Sequence, residues 1–336
     1  MNYKKNKMIL SMILIVAILI GIMVGFRFFQ SRLLKGNSSS SDTKEEYKYH
    51  IAMIVENKED IFWKSVIEYA KKAGKEKGIL VENFGGELRE NYTKDELMDM
   101  AIAARVDGII LKGDQRQETK DLIQKADEHE IPVITVGSDA AGSKRKSFIG
   151  VNEYTLGESF GHQIVGTTNQ KNQKVVVLLP SDNGNSPSNL TYSAIADVVE
   201  KSEQFFSLSS RITGGKGEFE SEEIVRDILL PQEERPDILI CLSAVDTMSA
   251  SQCLVDYNLV GEVRIIGSYI SDKIEENILK GIIDSTIAIN ADEMGEYGVG
   301  AMYDYLTKEY VSDYIPVESQ LITQKNVKDY EKQKEN

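Results

Sequence analysis

The feature that most constrains the fold is an alternation of short β-branched apolar runs with amphipathic stretches. In the first half of the chain the runs lie at residues 51–55, 79–81, 108–111 and 132–136, and helices are predicted over residues 62–77, 94–104 and 117–130. Continuous apolar strands separated by helices of this length are typical of a parallel sheet covered by helices on both faces. The chain is therefore expected to be an α/β protein.

The alternation restarts in the second half of the chain. Further strands are predicted at residues 175–179, 238–240, 263–266 and 285–289, with helices over residues 194–201, 222–230, 248–257 and 274–281. A length of 336 residues is sufficient for two domains of roughly 100–200 residues each. Two doubly wound parallel-sheet lobes are predicted, with ligands bound at the strand-to-helix turns beyond the carboxyl ends of the strands.

An uncharged apolar segment, from Met8 to Phe26, precedes this body. At about 1.5 Å per residue, a helix of this length nearly spans a hydrocarbon core of about 30 Å. The sequence predicts a transmembrane signal anchor over residues 8–29 that contacts the lipid bilayer, and a flexible tether over residues 30–46. A cleaved signal peptide is the alternative, but no small-x-small cleavage site follows. Lysines before the segment favour a cytoplasmic N-terminus and an extracellular body.

Composition excludes several functions. The formal net charge of -14 disfavours a nucleic-acid partner, which would require a positive face. Cys241 and Cys253 lack the spacing of a zinc site and are expected to be buried small hydrophobic residues. No two of the three histidines have metal-ligand spacing, and the phosphate-loop, dinucleotide and Gly-x-Ser-x-Gly motifs are absent. No metal, no cofactor and no catalytic residue is predicted.

Several segments together carry a family resemblance: residues 51–55 leading to Ile61-Phe62-Trp63, residues 130–136, residues 147–154, and residues 281–288. With these segments the chain resembles the type I periplasmic sugar-binding proteins, which include ribose- and galactose-binding proteins and share their fold with the ligand domain of lactose-repressor-type regulators. The resemblance covers roughly residues 49–324. Since no helix-turn-helix precedes the domain, the chain is not expected to bind DNA.

The resemblance implies two lobes joined by three crossovers, expected near Asn152, Asn290 and Ser312. Lobe 1 would contain residues 47–152 plus 290–311, and lobe 2 would contain residues 153–289 plus 312–325. Residues 326–336 are mostly charged or amide residues and are expected to form a frayed tail.

The resemblance also implies how a sugar would be bound between the lobes. Phe62 and Trp63 match the family's aromatic pair from the first lobe, and Phe219 matches a ring from the second, so all three are expected to line the cleft and stack on the sugar. The alternative is that Phe62 and Trp63 begin a core helix. Glu56 and Asp60 are expected to accept hydrogen bonds from sugar hydroxyls, because an unpaired buried hydroxyl costs roughly 1–3 kcal/mol.

The polar shell departs from the ribose-type pattern. Asn189 stands where an arginine is expected, Tyr269 where an aspartate is expected, and Asn290 near an expected glutamine. The turn that contains Asp139 replaces an Asp-Arg pair. The absence of the arginine argues against a carboxylate ligand and favours a neutral polyol or pentose. The candidate ligand-binding residues are Glu56, Asp60, Phe62, Trp63, Lys112, Asp139, Asn189, Phe219, Asp246, Tyr269 and Asn290.

The predicted anchor over residues 8–29 indicates a function at the membrane. The chain resembles the membrane-tethered, xylose-sensing binding proteins that act with LytS-type histidine kinases. It is therefore expected to sit in the cell membrane, to close on a monosaccharide, with D-xylose or another pentose favoured, and to signal to a membrane histidine kinase. A receptor for an ABC sugar importer is the alternative. A carbohydrate hydrolase is a third hypothesis, and would need two carboxylates, such as Asp60 and Asp246, about 5–10 Å apart across the cleft.

Overall fold

The computed structural model describes residues 47–55, 60–86, 88, 90, 92–167, 172–180, 187–202, 205–214 and 218–334. The predicted anchor (8–29), the predicted tether (30–46) and Glu56 lie outside these residues. Within the described ranges, no helix is both long enough and apolar enough to cross a membrane.

The described chain alternates strands and helices over its whole length. The strands are β1 (Tyr49–Ile54), β2 (Ile79–Asn83), β3 (Gly108–Leu111), β4 (Val133–Val136), β5 (Ser147–Gly150), β6 (Gln173–Leu179), β7 (Phe206–Ile212), β8 (Ile238–Cys241), β9 (Arg264–Ser268), β10 (Ser285–Ile289), β11 (Tyr314–Pro316) and β12 (Ser319–Thr323). The helices are α1 (Ile61–Glu76), α2 (Lys94–Ala104), α3 (Gln117–Glu128), α4 (Glu153–Thr167), α5 (Pro187–Lys201), α6 (Glu218–Leu229), α7 (Ala244–Asp256), α8 (Asp272–Leu279), α9 (Ala291–Lys308) and α10 (Val327–Lys334).

The strands form two six-stranded sheets with the same order. The first sheet is ordered β11-β5-β4-β3-β1-β2 and the second β12-β10-β9-β8-β6-β7. All pairs in the first sheet are parallel, whereas β12 joins β10 antiparallel in the second. The two parallel-sheet lobes predicted from the alternation are confirmed, and the two sheets share one strand order, with β12 alone reversed in direction relative to its counterpart β11.

The lobes are connected where the chain leaves one sheet and joins the other. The chain passes from β5 to α4 at residues 151–152 and from β10 to α9 at Asn290. The third passage lies at residues 317–318, later than the expected position near Ser312, because β11 still pairs with β5 of the first sheet. Residues 312–316 therefore belong to lobe 1 rather than lobe 2.

Each crossover helix packs against the helix that follows the first strand of its lobe: α9 against α1, and α4 against α5. A glycine stands at the fifth position of both crossover helices, Gly295 in α9 and Gly157 in α4. A Cβ added to either would collide with the main chain of the facing helix, at Val66 O and Thr191 O respectively. The two lobes thus share a close helix contact as well as a strand order.

The core consists of the strands predicted from the apolar runs. The side chains of β3, β4 and β8 are fully buried, and Cys241 and Cys253 are buried and unpaired, as expected. The tail expected to fray instead forms α10, because Val327 is completely buried and Tyr330 packs against the core. Because most residues of this segment are charged or amide residues, the sequence pattern did not indicate that Val327 and Tyr330 attach it to the core.

Candidate functional site

The start of α1 faces the cleft between the two sheets. Asp60 is the N-cap residue of this helix, and its Oδ1 accepts hydrogen bonds from the amides of Phe62 (2.8 Å) and Trp63 (3.4 Å). The cap holds both aromatic residues in the first turn of α1. Burial raises the pKa of the Asp60 carboxyl, although these bonds and Lys112 act in the opposite direction. Through Oδ1, Asp60 therefore fixes the backbone that carries the Phe62 and Trp63 rings.

Trp63 points into lobe 1. Its side chain is 7% exposed and belongs to the main hydrophobic core. Gly137, at the end of β4, has a φ of +72°, and a Cβ there would lie 2.5 Å from the indole ring. Lys112 Nζ lies 5.5 Å from the centroid of the same ring. The Trp63 ring is thus buried beneath the β4 turn, and its stacking on a sugar stays a prediction.

Phe62 joins the two lobes. Its ring centroid lies 5.3 Å from Trp63 and 5.4 Å from Tyr269, and both pairs are edge-to-face. Tyr269 follows β9 of lobe 2, and its hydroxyl lies 2.7 Å from Ser65 Oγ of α1. Edge-to-face aromatic pairs contribute about 0.5–1.5 kcal/mol beyond the area that they bury. We call Phe62, Trp63, Ser65 and Tyr269 the aromatic contact.

Tyr269 is held in an unusual backbone conformation. Its φ is +71°, which is uncommon for a residue other than glycine, asparagine or aspartate. The Thr286 hydroxyl donates to the Tyr269 carbonyl at 2.7 Å, and the Tyr269 amide donates to Ile287 O at 3.2 Å. These bonds from β10 fix the ring toward lobe 1. Sequence analysis did not identify Ser65, although it lies one helical turn after Phe62 and hence on the same face of α1.

Two predicted residues of lobe 2 lie in opposite environments, one buried and one exposed. Asp246 is 1% exposed, and its carboxylate accepts hydrogen bonds from Ser221 (2.7 Å), Ser243 (2.7 Å) and Thr213 (3.2 Å). Burial raises its pKa. Phe219 is 80% exposed near the start of α6. The Asp60 carboxyl lies close enough to raise the pKa of Asp246 further, but both carboxylates are occupied: Asp246 accepts from three hydroxyls of lobe 2, and Asp60 caps α1.

Asn290 is the remaining predicted residue near the aromatic contact. It occupies the N-cap position of α9 at the second crossover, yet its side chain makes no capping bond. Its Oδ1 is buried without a hydrogen-bond partner. A buried acceptor without a donor costs about 1–3 kcal/mol, so a ligand hydroxyl that donates to this oxygen would remove that cost.

A second group of predicted residues borders a cavity of about 780 Å³ between the β4 turn and the start of α5. It includes Asp139 of lobe 1 and Asn189 of lobe 2. The Asp139 carboxylate binds Arg145 at 2.6 and 2.9 Å and accepts from Thr135 Oγ1 at 2.9 Å. Arg145 also contacts Asp313, Nη1 to Oδ1, at 2.7 Å. Asp139 is therefore engaged by an arginine that sequence analysis did not consider.

Glu153, also on the cavity wall, begins α4 at the first crossover. The Thr191 hydroxyl of α5 donates to Glu153 Oε2 at 2.8 Å. Burial raises the pKa of this carboxyl to about 7, and the single hydroxyl donor only partly offsets that effect. Sequence analysis did not single out Glu153, because its burial depends on the packing of α4 against α5. Across the described ranges, no cluster of acidic, histidine or cysteine side chains has the arrangement of a metal site.

Residues 51–309 match the protein family described as the periplasmic binding protein domain. The chain belongs to this family. The family segments identified in the sequence and the type I fold that they implied are thereby confirmed. No curated protein sequence matches the chain.

Many solved structures share the fold of this periplasmic binding protein domain. The glucose-galactose binding protein GanP from Geobacillus stearothermophilus is 23% identical with a TM-score of 0.72, over 83% of this chain and 98% of GanP. XylFII in its complex with LytSN is 24% identical with a TM-score of 0.71, over 83% and 98%. An ABC transporter solute binding protein from Agrobacterium vitis, with bound D-fucose, is 18% identical with a TM-score of 0.74, over 84% and 98%.

At these identities the similar structures establish the fold alone. The family is described as a periplasmic binding protein domain, so at this level the chain is a binding protein. In the periplasmic binding protein domain described here, the cleft has two parts: the aromatic contact, where the lobes touch, and the cavity, where they are apart.

Proposed function

We propose that this chain is an extracytoplasmic sugar-binding protein held in the cell membrane by residues 8–29. It closes on a monosaccharide, with D-xylose or another pentose the favoured ligand, and its closed form is read by a membrane histidine kinase. The observation that carries the proposal is the aromatic contact, because rings and hydroxyl groups from both lobes meet at the turns where an α/β fold binds ligands.

Sugar recognition requires apolar faces beside hydrogen-bonding groups. Phe62 and Tyr269 provide rings from opposite lobes, and Ser65 and Asn290 provide polar atoms near them. Similar structures named for glucose and galactose or solved with D-fucose support a sugar as the ligand class. The formal net charge of -14 supports a neutral sugar rather than an acid.

Sensing is supported by two further observations. The apolar run before residue 27 would keep the protein beside its partner, and a short flexible linker raises the effective concentration of a neighbour to the millimolar range. XylFII, one of the similar structures, was solved in complex with LytSN. A signal also requires that sugar binds the closed state more tightly than the open state, since a ligand indifferent to the two shifts nothing.

Calorimetric titration of the full chain in mild detergent tests the sugar-binding part. The panel contains xylose, arabinose, ribose, glucose, galactose and inositol. Saturable heat with one sugar is expected, and Phe62→Ala should weaken binding at least tenfold, whereas the matched control Phe205→Ala, at a 67% exposed phenylalanine before β7, should not. Silence across the panel from a folded protein would refute sugar binding.

Co-purification from detergent tests the sensing part. We expect a membrane histidine kinase to be recovered with the chain in an amount that changes when the sugar is added. Equal recovery with and without sugar would argue strongly against sensing.

A second candidate function is that of a receptor for an ABC sugar importer. It is favoured by the neighbour from Agrobacterium vitis, which is described as an ABC transporter solute binding protein. Recovery of a permease and an ATPase in the same co-purification, instead of a kinase, would select this function. Genes for the same proteins beside the gene for this chain would point the same way.

A further inference from the structure

The cavity between the β4 turn and α5 is larger than a single sugar ring needs. Its volume of about 780 Å³ lies in the upper part of the range, roughly 300–1,000 Å³, of pockets that enclose drug-sized ligands. A pentose, with about ten non-hydrogen atoms, is well below that size. The cavity therefore has room for more than the monosaccharide considered above.

One wall of the cavity is a pair of stacked rings. Phe148 of β5 and Tyr314 of β11 have ring centroids 5.5 Å apart and planes inclined by 20°. The Tyr314 hydroxyl donates to Gly150 O at 3.1 Å, which anchors the outer ring of the pair. A fixed aromatic surface of this kind matches the apolar face of a sugar, which it can cover at little cost in conformational entropy.

The cavity also exposes apolar groups from both lobes. Tyr314 of lobe 1 is 39% exposed, and Tyr154 and Leu190 of lobe 2 are 43% and 57% exposed. All three border the same cavity. Apolar groups gathered around a concave site, with polar groups between them, are the usual arrangement of a ligand pocket.

The described residues of the cavity wall offer no free positive charge to an anion. The Arg145 guanidinium binds the carboxylates of Asp139 and Asp313, so it offers no uncompensated positive charge to an anion. Polar side chains from both lobes, among them Gln115, Asn189 and Ser193, also border the space. Such a lining is suited to a neutral ligand that carries hydroxyl groups.

The cavity is adjacent to the aromatic contact. Gly137 touches the ring of Trp63, and the next residue, Ser138, lines the cavity. The β4 turn therefore lies between the buried Trp63 ring of the aromatic contact and the cavity.

We propose that this cavity is a second sugar compartment, so that the cleft takes a neutral disaccharide whose outer ring lies against Phe148 and Tyr314. This inference rests on the proposed sugar-binding function and extends its ligand class from one ring to two.

The test is a calorimetric titration of the full chain in mild detergent with matched pairs of sugars: xylose and xylobiose, glucose and cellobiose, galactose and β-1,4-galactobiose. One disaccharide is expected to bind at least tenfold more tightly than its monosaccharide. If a monosaccharide binds as tightly as its disaccharide or more so, the second compartment is refuted while sugar binding stands. If no sugar binds to the folded protein, both proposals are refuted.

Variants of Tyr314 then test whether the tighter binding of the disaccharide depends on the cavity. Tyr314→Ala and Tyr314→Leu should each reduce the affinity for the disaccharide about threefold to tenfold and leave the affinity for the monosaccharide within twofold. Tyr310→Ala is the matched control, since this tyrosine of lobe 1 is 75% exposed and outside the cavity lining. Circular dichroism shows which variants are folded, and the leucine variant retains apolar volume if the alanine variant unfolds. A disaccharide preference that survives both Tyr314 substitutions would overturn the assignment.

Discussion

The two parts of the cleft occupy equivalent places in two sheets of identical strand order, yet they differ in chemistry. At the aromatic contact, α1 of lobe 1 meets the turn after β9 of lobe 2, and at the cavity, α5 of lobe 2 meets the turn after β4 of lobe 1. The first turn of α1 carries two large aromatic residues, Phe62 and Trp63, whereas the first turn of α5 carries Ser188, Asn189 and Leu190. The large rings of α1 let the lobes touch, and the smaller side chains of Ser188, Asn189 and Leu190 leave a space. The topology therefore determines where the lobes meet, and the first turn of each helix determines how.

The largest effect is expected at Trp63. Because its ring is buried in the core, Trp63→Ala should lower the free energy of unfolding by about 3–5 kcal/mol. Tyr154→Ala, which removes a 43% exposed ring from the cavity, should lower it by less than about 1 kcal/mol. Chemical denaturation measures both. If the two variants lose equal unfolding free energy, or if Trp63→Ala loses less than about 1 kcal/mol, then the ring at the aromatic contact is no more tightly packed than the ring at the cavity.

Glu153 should make the stability of the cavity region depend on pH. Its pKa is raised from 4.5 to about 7 in the folded protein, so folding favours the protonated carboxyl. The contribution to stability is complete below about pH 4.5 and is lost as the pH rises through about 7, with a magnitude on the order of 1–3 kcal/mol. Glu153→Gln should therefore lose less stability than the wild type between pH 5 and pH 8.

The denaturation series for Glu153→Gln needs a control on a neighbouring helix. Glu200→Gln, at an exposed position of α5, should follow the wild-type pH dependence. If the unfolding free energy of the wild type and of Glu153→Gln changes with pH in the same way, then the Glu153 carboxyl does not make the stability of the cavity region depend on pH.

The hydrogen bond across the aromatic contact should contribute less. Tyr269→Phe keeps the ring but removes the bond to Ser65, which should cost about 0.5–1.5 kcal/mol of unfolding free energy. Ser65→Ala should cost a similar amount, and the double variant little more, because both substitutions remove the same bond. Costs that simply add in the double variant would show that the two hydroxyls do not stabilise each other.

The smallest effect is expected at Phe219. Since this ring is 80% exposed, Phe219→Ala should change the unfolding free energy by less than about 0.5 kcal/mol and the sugar affinity by less than twofold. Titration and denaturation of the same variant measure both. A tenfold loss of sugar affinity would show that closure of the lobes brings Phe219 to the ligand. The cleft would then contain a further aromatic group, contributed by lobe 2.

The strands were the most predictable part of the molecule. The limits of β3 and β10 agree with their apolar runs to the residue, because strands buried on both faces leave a continuous apolar pattern. The edge strand β7 left no such pattern, since its residues are only partly buried or exposed. The C-terminal helix α10 was predicted to fray because most of its residues are charged or amide residues, whereas Val327 and Tyr330 attach it to the core.

The candidate site was less predictable, because a turn position does not reveal the direction of a side chain. Asp246 follows a strand as a ligand-binding residue would, yet three hydroxyl groups of lobe 2 enclose it. Asp139 was expected at the cleft and is there, but its charge is balanced by Arg145, six residues further along the chain. Neither partnership can be deduced from spacing in the sequence.

The sequence by itself determined the α/β class, the two lobes, the turns that face each other and the family to which the chain belongs. These properties follow from local periodicity and from the order of strands and helices, which are written along the chain. Only the tertiary structure decided that Trp63 is a core residue, that Tyr269 bonds to Ser65, and that the equivalent contact on the other side remains open. Those properties depend on packing between segments that are far apart in sequence. The volume of a side chain affects the structure only where two such segments pack against each other.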